Sequence, residues 1–375
     1  MKFLGALGLA MAGLFAGSAL AAPVKLNDAQ LNAVVAGVNV LNLEIVGKIA
    51  DQPGVAPVTD PSLVNAWGLS AAPGGPLWVA NNGTGTSTVY DNSSFAKLPL
   101  TVNIAAPGGG PAAPTGTVFT SLTGDSFQVT AAGKTGHSLF LFATEGGTIA
   151  GWSPSVNGTE AINAVDMSGQ GAVFKGLALA QDDGGPPRLF AADFINNRVD
   201  MFNSRFQSVG AFTDPSLPAG YAPFNVQALQ GRIYVTFALH GDGHDEAHGA
   251  GLGYVDVFNT SGRLIRRLIS GGPLNAPWGL TIAPYSFGHL GGALLVGNFG
   301  DGAVNAFDPN SGRFLGQLKA GGAPVSIDGL WALRNGPDGT VIFSSGPNHE
   351  ANGLVGVIRP TFARASWAFM DHATH

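Results

Sequence analysis

"RLFAADFINNRVDMFN", residues 188–203, reads as strand, turn, strand. Two short runs rich in apolar and aromatic residues flank a polar Ile-Asn-Asn-Arg step, the pattern of a β-hairpin. The same pair of runs recurs along the chain. The first runs are "LWVANN", "LFATEG", "LFAADF", "IYVTFA", "LLVGNF" and "VIFSSG", and the second are "STVYD", "GTIAGW", "NRVDMF", "GYVDVF", "GAVNAF" and "GLVGVI". Before each pair stands an opening motif: "NAWGLS", "APTGTV", "VFKGLA", "APFNVQ", "APWGLT" and "SIDGLW". Aligned on Gly68, Gly116, Gly176, Asn225, Gly279 and Gly329, these motifs repeat at intervals of 48 to 60 residues. Five units continue into a fourth run: "LPLTVN", "EAINAV", "QSVGAF", "LIRRLI" and "FLGQLK".

Repeats of this length, each made of four short strands, predict an all-β fold, a six-bladed β-propeller with four strands per blade. The sixth unit lacks its fourth strand. The unused run "NLEIVGKI", 42–49, is expected to pair there and close the ring. The predicted organisation is a signal peptide over 1–21, an N-terminal segment with a short helix over 22–41, the propeller over 42–359 and a tail over 360–375.

The bulk composition agrees. The chain has 56 Gly, 24 Pro and no Cys, and only 11% of its residues are charged. Many apolar runs punctuated by turn formers indicate β-structure. The absence of Cys excludes disulfides, thiol nucleophiles and thiolate metal sites. A net charge of −6 argues against nucleic acid or an anionic membrane as partner. Lys2, the apolar run after it and Ala19-Leu20-Ala21 form a signal-peptide pattern, so export to the periplasm or the cell exterior is expected, with no membrane insertion after cleavage. A monomer is expected, with a small molecule or a protein as partner.

The hairpin at 188–203 is similar to the NHL-repeat signature. With "VNAWGLS", "FATEGGTIAGW" and "GYVDVFN", the chain from 42 to 359 resembles a family of exported bacterial six-bladed propellers. At greater distance it resembles the gluconolactonase and senescence-marker propellers, a likeness that implies metal-dependent hydrolysis. The scaffold hosts many activities, so function has to be argued from the site.

In a propeller the 2–3 and 4–1 connections emerge on one face around the central channel, and here they are the irregular ones. The repeat alignment places the ends of the second strands, Asn81, Glu145, Asp193, Phe237, Asn298 and Ser345, at the channel mouth. The residues before the aligned Gly or Asn, Trp67, Thr115, Lys175, Phe224, Trp278 and Asp328, are expected beside them. Glu145, Asp193, Asn81 and Asn298 would offer oxygen ligands suited to Ca²⁺ or another divalent cation. Such an ion would polarise a lactone or ester carbonyl. The competing reading has Asp193 and Asn298 bonding their own turns. Glu145, followed by two glycines, is the better candidate ligand or general base.

"ALHGDGHDEAHGAGLG", 238–253, falls in the 2–3 connection of the fourth unit and overhangs the same mouth. His240, His244 and His248 with Asp242 or Asp245 make a second candidate metal set, against the alternative of a solvated lid. His244 and His248 have the spacing of a zinc helix, but flanking glycines argue against a helix. The matching loop of the sixth unit, "GPNHEANG", brings His349 and Glu350 toward the mouth. Two functions follow: a binding or scaffold module, or a metal-dependent lactone or ester hydrolase. The hydrolase requires Glu145 and Asp193 to converge on one point.

Overall fold

The computed structural model describes residues 42–121, 124–181 and 185–361. The predicted signal peptide, N-terminal helix and most of the C-terminal tail lie outside these residues. The described chain is a β-propeller built of antiparallel sheets that follow one another in sequence order. The first sheet orders Ala66–Ala71, Leu77–Asn81, Thr86–Tyr90 and Lys97–Ile104. The second orders Pro114–Phe119, Phe140–Thr144, Thr148–Trp152 and Glu160–Asp166, and joins the first through parallel pairing of Glu160 with Asn103 and Ala161 with Ile104. The third runs Phe174–Ala180, Arg188–Asp193, Arg198–Asn203 and Ser208–Phe212. The fourth runs Tyr221–Leu229, Arg232–Leu239, Tyr254–Phe258 and Leu264–Ser270, and the fifth Pro277–Ile282, Leu294–Asn298, Val304–Phe307 and Phe314–Gln317.

The last sheet contains Leu330–Asn335, Val341–Ser345 and Leu354–Pro360, and the N-terminal strand Leu43–Ala50 pairs antiparallel with Leu354–Pro360. The two ends of the described chain are thus stitched into one sheet. One hairpin, Gln128–Ala131 with Lys134–His137, has no counterpart in the repeat. It is inserted between the first two strands of the second sheet.

Each sheet buries both faces against its neighbours. Leu141, Ala143 and Ile149 of the second sheet share a core with Phe174, Leu189 and Ala191 of the third. The last sheet packs on the first in the same way, through Ile342, Val355 and Val357 against Leu77, Val79 and Tyr90. Sheets buried on both faces explain why their strands read as near-continuous apolar runs. The first strands touch in succession, and Leu330–Asn335 touches Ala66–Ala71.

The repeated glycines are required by this approach. A Cβ on Gly116 would lie 2.3 Å from the Leu177 amide nitrogen, and one on Gly279 would lie 2.6 Å from the Trp331 carbonyl oxygen. Where Asn225 replaces glycine, its side chain joins the contact instead, with Nδ2 donating to the Trp278 carbonyl at 2.8 Å.

A buried acid shows how polar groups between sheets are held. Arg267 donates from Nε to Asp256 at 3.3 Å and also pairs with Asp214. Burial, and then the bond to Asp214, push the Asp256 carboxyl up to about 8. Its native pKa lies above the unfolded value of 3.8, so its contribution to stability is complete in acid and is lost as pH rises through about 8. Asp256→Asn keeps the shape and a donor toward Asp214. Relative to wild type it is expected to gain on the order of 2–3 kcal/mol of stability between pH 6 and pH 9, because the wild-type loss accrues from the unfolded value of 3.8 up to about 8. Urea denaturation at the two pH values checks this, and an equal effect at both would refute the buried-proton account.

Candidate binding site at the channel mouth

Strand register decides which side chains reach the mouth. The second strands end in equivalent pairs: Ala66 with Asn81, Phe174 with Asp193, Pro277 with Asn298, and Pro114 with Thr144. Thr144, not Glu145, is therefore the equivalent of Asp193. A one-residue offset in a strand reverses the side chain.

The position after each strand end is fixed by a repeated bond from its amide to the residue before the first strand. Asn82 donates to Asn65, Glu145 to Ala113, Phe194 to Val173, Phe299 to Ala276 and Gly346 to Gly329, all at 2.9–3.0 Å. At the strand ends the polar side chains serve their own turns. Asp193 accepts from the Asn196 side chain at 2.7 Å and from the Val173 amide at 3.1 Å. Asn81 donates to Thr86 and Thr88, each at 3.0 Å, and Asn298 donates to the Pro273 carbonyl and to Asp301. At the next position side chains reach the mouth: Asn82 donates to Glu145 at 3.0 Å, and Phe194 and Phe299 join the aromatic cluster there.

Register also corrects the sixth unit. Leu330 pairs with Ser345, so Trp331 and Ala332 match Trp67 and Gly68. The alignment on Gly329 was three residues early. Asp328 lies outside the inner strand and accepts from the Asn348 amide at 2.8 Å. Gly329 instead matches Asn65 and Ala276, and all three have positive φ, at 61°, 48° and 44°.

The mouth has an aromatic floor. Trp331 stacks on Trp67 at 3.6 Å between centroids and on Phe299 at 3.9 Å, while Trp278 meets both tryptophans edge-on. Trp331 donates to Asn65 at 3.0 Å and Trp278 donates to the Lys175 carbonyl at 3.0 Å. The buried Trp67 Nε1 has no partner among the described residues. A donor left unpaired in this way costs about 1–3 kcal/mol, which a ligand acceptor would recover.

A charged layer lies on that floor. Lys175, whose side chain is 2% exposed, donates to Glu145 at 2.7 Å, and its Nζ lies 5.2 Å from the Trp67 ring centre. Asp245 approaches the same ammonium at 3.7 Å. Burial alone would lower the Lys175 pKa, but Glu145, Glu246 and Asp245 outweigh it and hold the pKa above its ordinary value. Glu350 accepts from Asn65 at 2.6 Å. Burial is the main cause of its raised pKa, with Glu246 and Glu145 adding to it. Asn348, His349 and Glu350 are held at φ of 59°, 53° and 65°, a left-handed run of three non-glycine residues. Such a run costs roughly 1–2 kcal/mol per residue, and strain of this kind clusters at functional sites. The His349 ring itself is exposed.

The histidine-rich stretch forms no helix. It turns back at a bridge between His240 and Glu246. The His240 ring packs on Phe194 at 4.4 Å, and burial lowers its pKa. His248 bonds Glu246 at 3.3 Å, the main cause of its raised pKa, and meets Phe299 edge-on. His244 and Asp242 are exposed. His240 and His248 therefore have different neighbours, and His244 is exposed. Among the described residues no three His, Asp or Glu side chains are placed to share a metal ion. Glu145 turns to Lys175 and Asn82 while Asp193 bonds its own turn, so the two carboxylates share no partner.

The structure thus brings Trp67, Lys175, Trp278, Glu145 and Asp245 together, and adds Asn65, Asn82, Glu246, Trp331 and Glu350. Asn81, Asp193, Asn298 and Asp328 stay apart. Asn65 and Asn82 flank the strands "AWGLSA" and "LWVAN" at positions that a repeat aligned on glycine does not single out.

The fold defines the chain as a β-propeller with a charged mouth over an aromatic floor. No family model matches the sequence. An uncharacterized protein of Acanthamoeba polyphaga mimivirus is 34% identical over 325 residues, spanning 83% of this chain and 78% of that protein. A second from the same virus is 32% identical over 325 residues, spanning 82% and 83%. The chain belongs to the family that these proteins form. These relatives are viral and do not support the bacterial grouping inferred from the motifs.

Among solved structures, a streptogramin B lyase matches with a TM-score of 0.47 and 11% identity over 86% of this chain and 98% of its own. A luciferin-regenerating enzyme matches at 0.49 and 13% over 80% and 94%. A chain of the COPII outer coat on membranes matches at 0.50 and 12% over 78% and 68%. These likenesses are of fold alone. Among the described residues no helix is long and apolar enough to cross a membrane.

Proposed function

We propose that this chain is an exported, monomeric six-bladed propeller that binds a small cationic ligand at the channel mouth. The observation that carries the reading is the charge balance over the aromatic floor. Glu145, Asp245, Glu246 and Glu350 surround one buried ammonium, that of Lys175. With all four acids ionised the mouth keeps an excess of negative charge, partly offset when His248 is protonated. An organic ammonium ion satisfies the acids and can lie against the partly exposed Phe299 ring. A divalent metal is a weaker fit, because the carboxylates already hold Lys175, Asn82, Asn65 and His248 rather than a common point. The same geometry favours binding over metal-dependent hydrolysis. Six cores between successive sheets, the last joining the sixth sheet to the first, support the six-bladed count.

Calorimetric titration with spermidine tests the reading. Saturable one-to-one binding is expected at pH 8, weakening as pH falls and Glu350, with its raised pKa, takes up a proton. The double variant Glu145→Gln, Glu350→Gln is expected to bind at least about tenfold more weakly, through loss of charge-assisted bonds. No saturable heat, or unchanged affinity in the double variant, would sink the proposal. Titration with CaCl₂ in parallel reads the metal alternative directly.

A further inference from the structure

Beyond the aromatic floor the same inner strands enclose a second cavity of about 540 Å³. Its chemistry is opposite to that of the mouth. Ser70, Val118, Ala178, Gln227, Thr281 and Arg334 lie at one level of the six first strands, as their registers show, and all six line the cavity. Arg334 is the single charged side chain of the lining, and no carboxylate belongs to it. In a chain of net charge −6 this leaves a cation without a counter-charge.

Arg334 donates from Nη1 to the Asn335 carbonyl at 3.0 Å and has no acidic partner among the described residues. Arg334 is half-buried and its guanidinium keeps its proton, so it is complementary to an anion. Thr281 donates to Asn335 at 3.1 Å, which orients that amide beside the guanidinium. The buried Thr117 hydroxyl, also in the lining, has no partner among the described residues. The lining also includes Ser121 and Asn225, and the edges of Leu177, Leu179, Leu229 and Leu333, which reach it from the cores between sheets. One cation, several hydroxyls and amides, and four leucine edges describe a pocket for a small amphipathic anion, in the usual size range for small-molecule sites of about 300–1,000 Å³.

We propose that this cavity binds a small organic monocarboxylate, with the carboxylate paired to Arg334 and the apolar body against the leucines. The probe is octanoate, titrated calorimetrically into the wild-type chain at pH 7.5, with 1-octanol and sodium sulfate as comparisons. One saturable octanoate site is expected, at least about tenfold tighter than 1-octanol, because the neutral alcohol forms no charge-assisted pair. Arg334→Met is expected to weaken octanoate by at least about tenfold, with Arg334→Lys intermediate because lysine keeps the charge and loses the fork.

Octanoate and 1-octanol binding equally would overturn the proposal, and so would affinity unchanged in Arg334→Met. Sulfate binding more tightly than octanoate would overturn the apolar half of it. The wild-type comparison stands even if Arg334→Met fails to fold. The mouth variants Glu145→Gln and Glu350→Gln are expected to leave octanoate affinity unchanged, which separates this site from the one at the mouth.

Discussion

Lys175→Met is expected to destabilise the chain by about 1–3 kcal/mol, the cost of leaving the partly buried Glu145 without its cation, with the exposed Asp245 adding little. Lys175 is the one ammonium that Glu145 and Asp245 share, and Glu246 acts on it at longer range. Its removal sets three acids and Glu350 against one another in a partly dry mouth. Because the native pKa of Lys175 is raised, its contribution is complete below the unfolded value of 10.5 and is lost only as pH rises through the native value above it. The deficit in the variant is therefore expected throughout the neutral range. It should shrink in acid, where the carboxylates take up protons.

Pairing the change with Glu145→Gln should recover part of the loss, since the two residues are in direct contact and their effects are not additive. Urea denaturation of the two single variants and the double variant gives the coupling. A loss below about 1 kcal/mol for Lys175→Met would mean that the cluster behaves as a solvated surface pair.

Trp331→Ala is the second large effect, about 3–5 kcal/mol, the range for truncating a buried aromatic. Trp331 is 1% exposed and forms the middle layer of a stack between Trp67 and Phe299. Its indole also supplies the donor for Asn65 Oδ1, and Asn65 in turn holds Glu350. The variant removes part of the floor that separates the mouth from the cavity lined by Arg334. Stability loss should be accompanied by weaker spermidine binding, because Glu350 loses its positioned partner. Tryptophan fluorescence during unfolding, with spermidine titration of the folded variant, measures both. Full retention of spermidine affinity would show that the Asn65 and Trp331 chain does not position the mouth acids.

How much of the site was legible follows from strand register. Trp67, Lys175 and Trp278 were found by counting from glycines that the inner strands require, and the structure groups them as the count expected. Glu145 was selected for a different reason, that glutamate followed by two glycines has no turn of its own to cap. The structure places Glu145 at the mouth, bonded to Lys175, although the alignment beneath that choice is one residue off. Asp193 and Asn298 share an alignment column with Asn81 but not with Glu145, and their side chains go to turns.

In the sixth unit the motif "SIDGLWALRN" contains a glycine at the wrong place. The close approach there uses Ala332, and Gly329 is kept for a left-handed backbone angle. A glycine required for φ and a glycine required for space are the same letter in a sequence.

The sequence by itself determined the all-β propeller, because short apolar runs separated by turn formers and repeated about every fifty residues can bury both faces only against one another. It also determined that an N-terminal strand was needed for the last sheet. Only the tertiary structure decided which residues form the mouth. Side-chain direction in a strand inverts with a single residue of register, and Asn65, Glu246, Trp331 and Glu350 come from segments far apart in the chain. Their proximity is a property of the closed ring, in which the last sheet is packed on the first, and no local pattern encodes it.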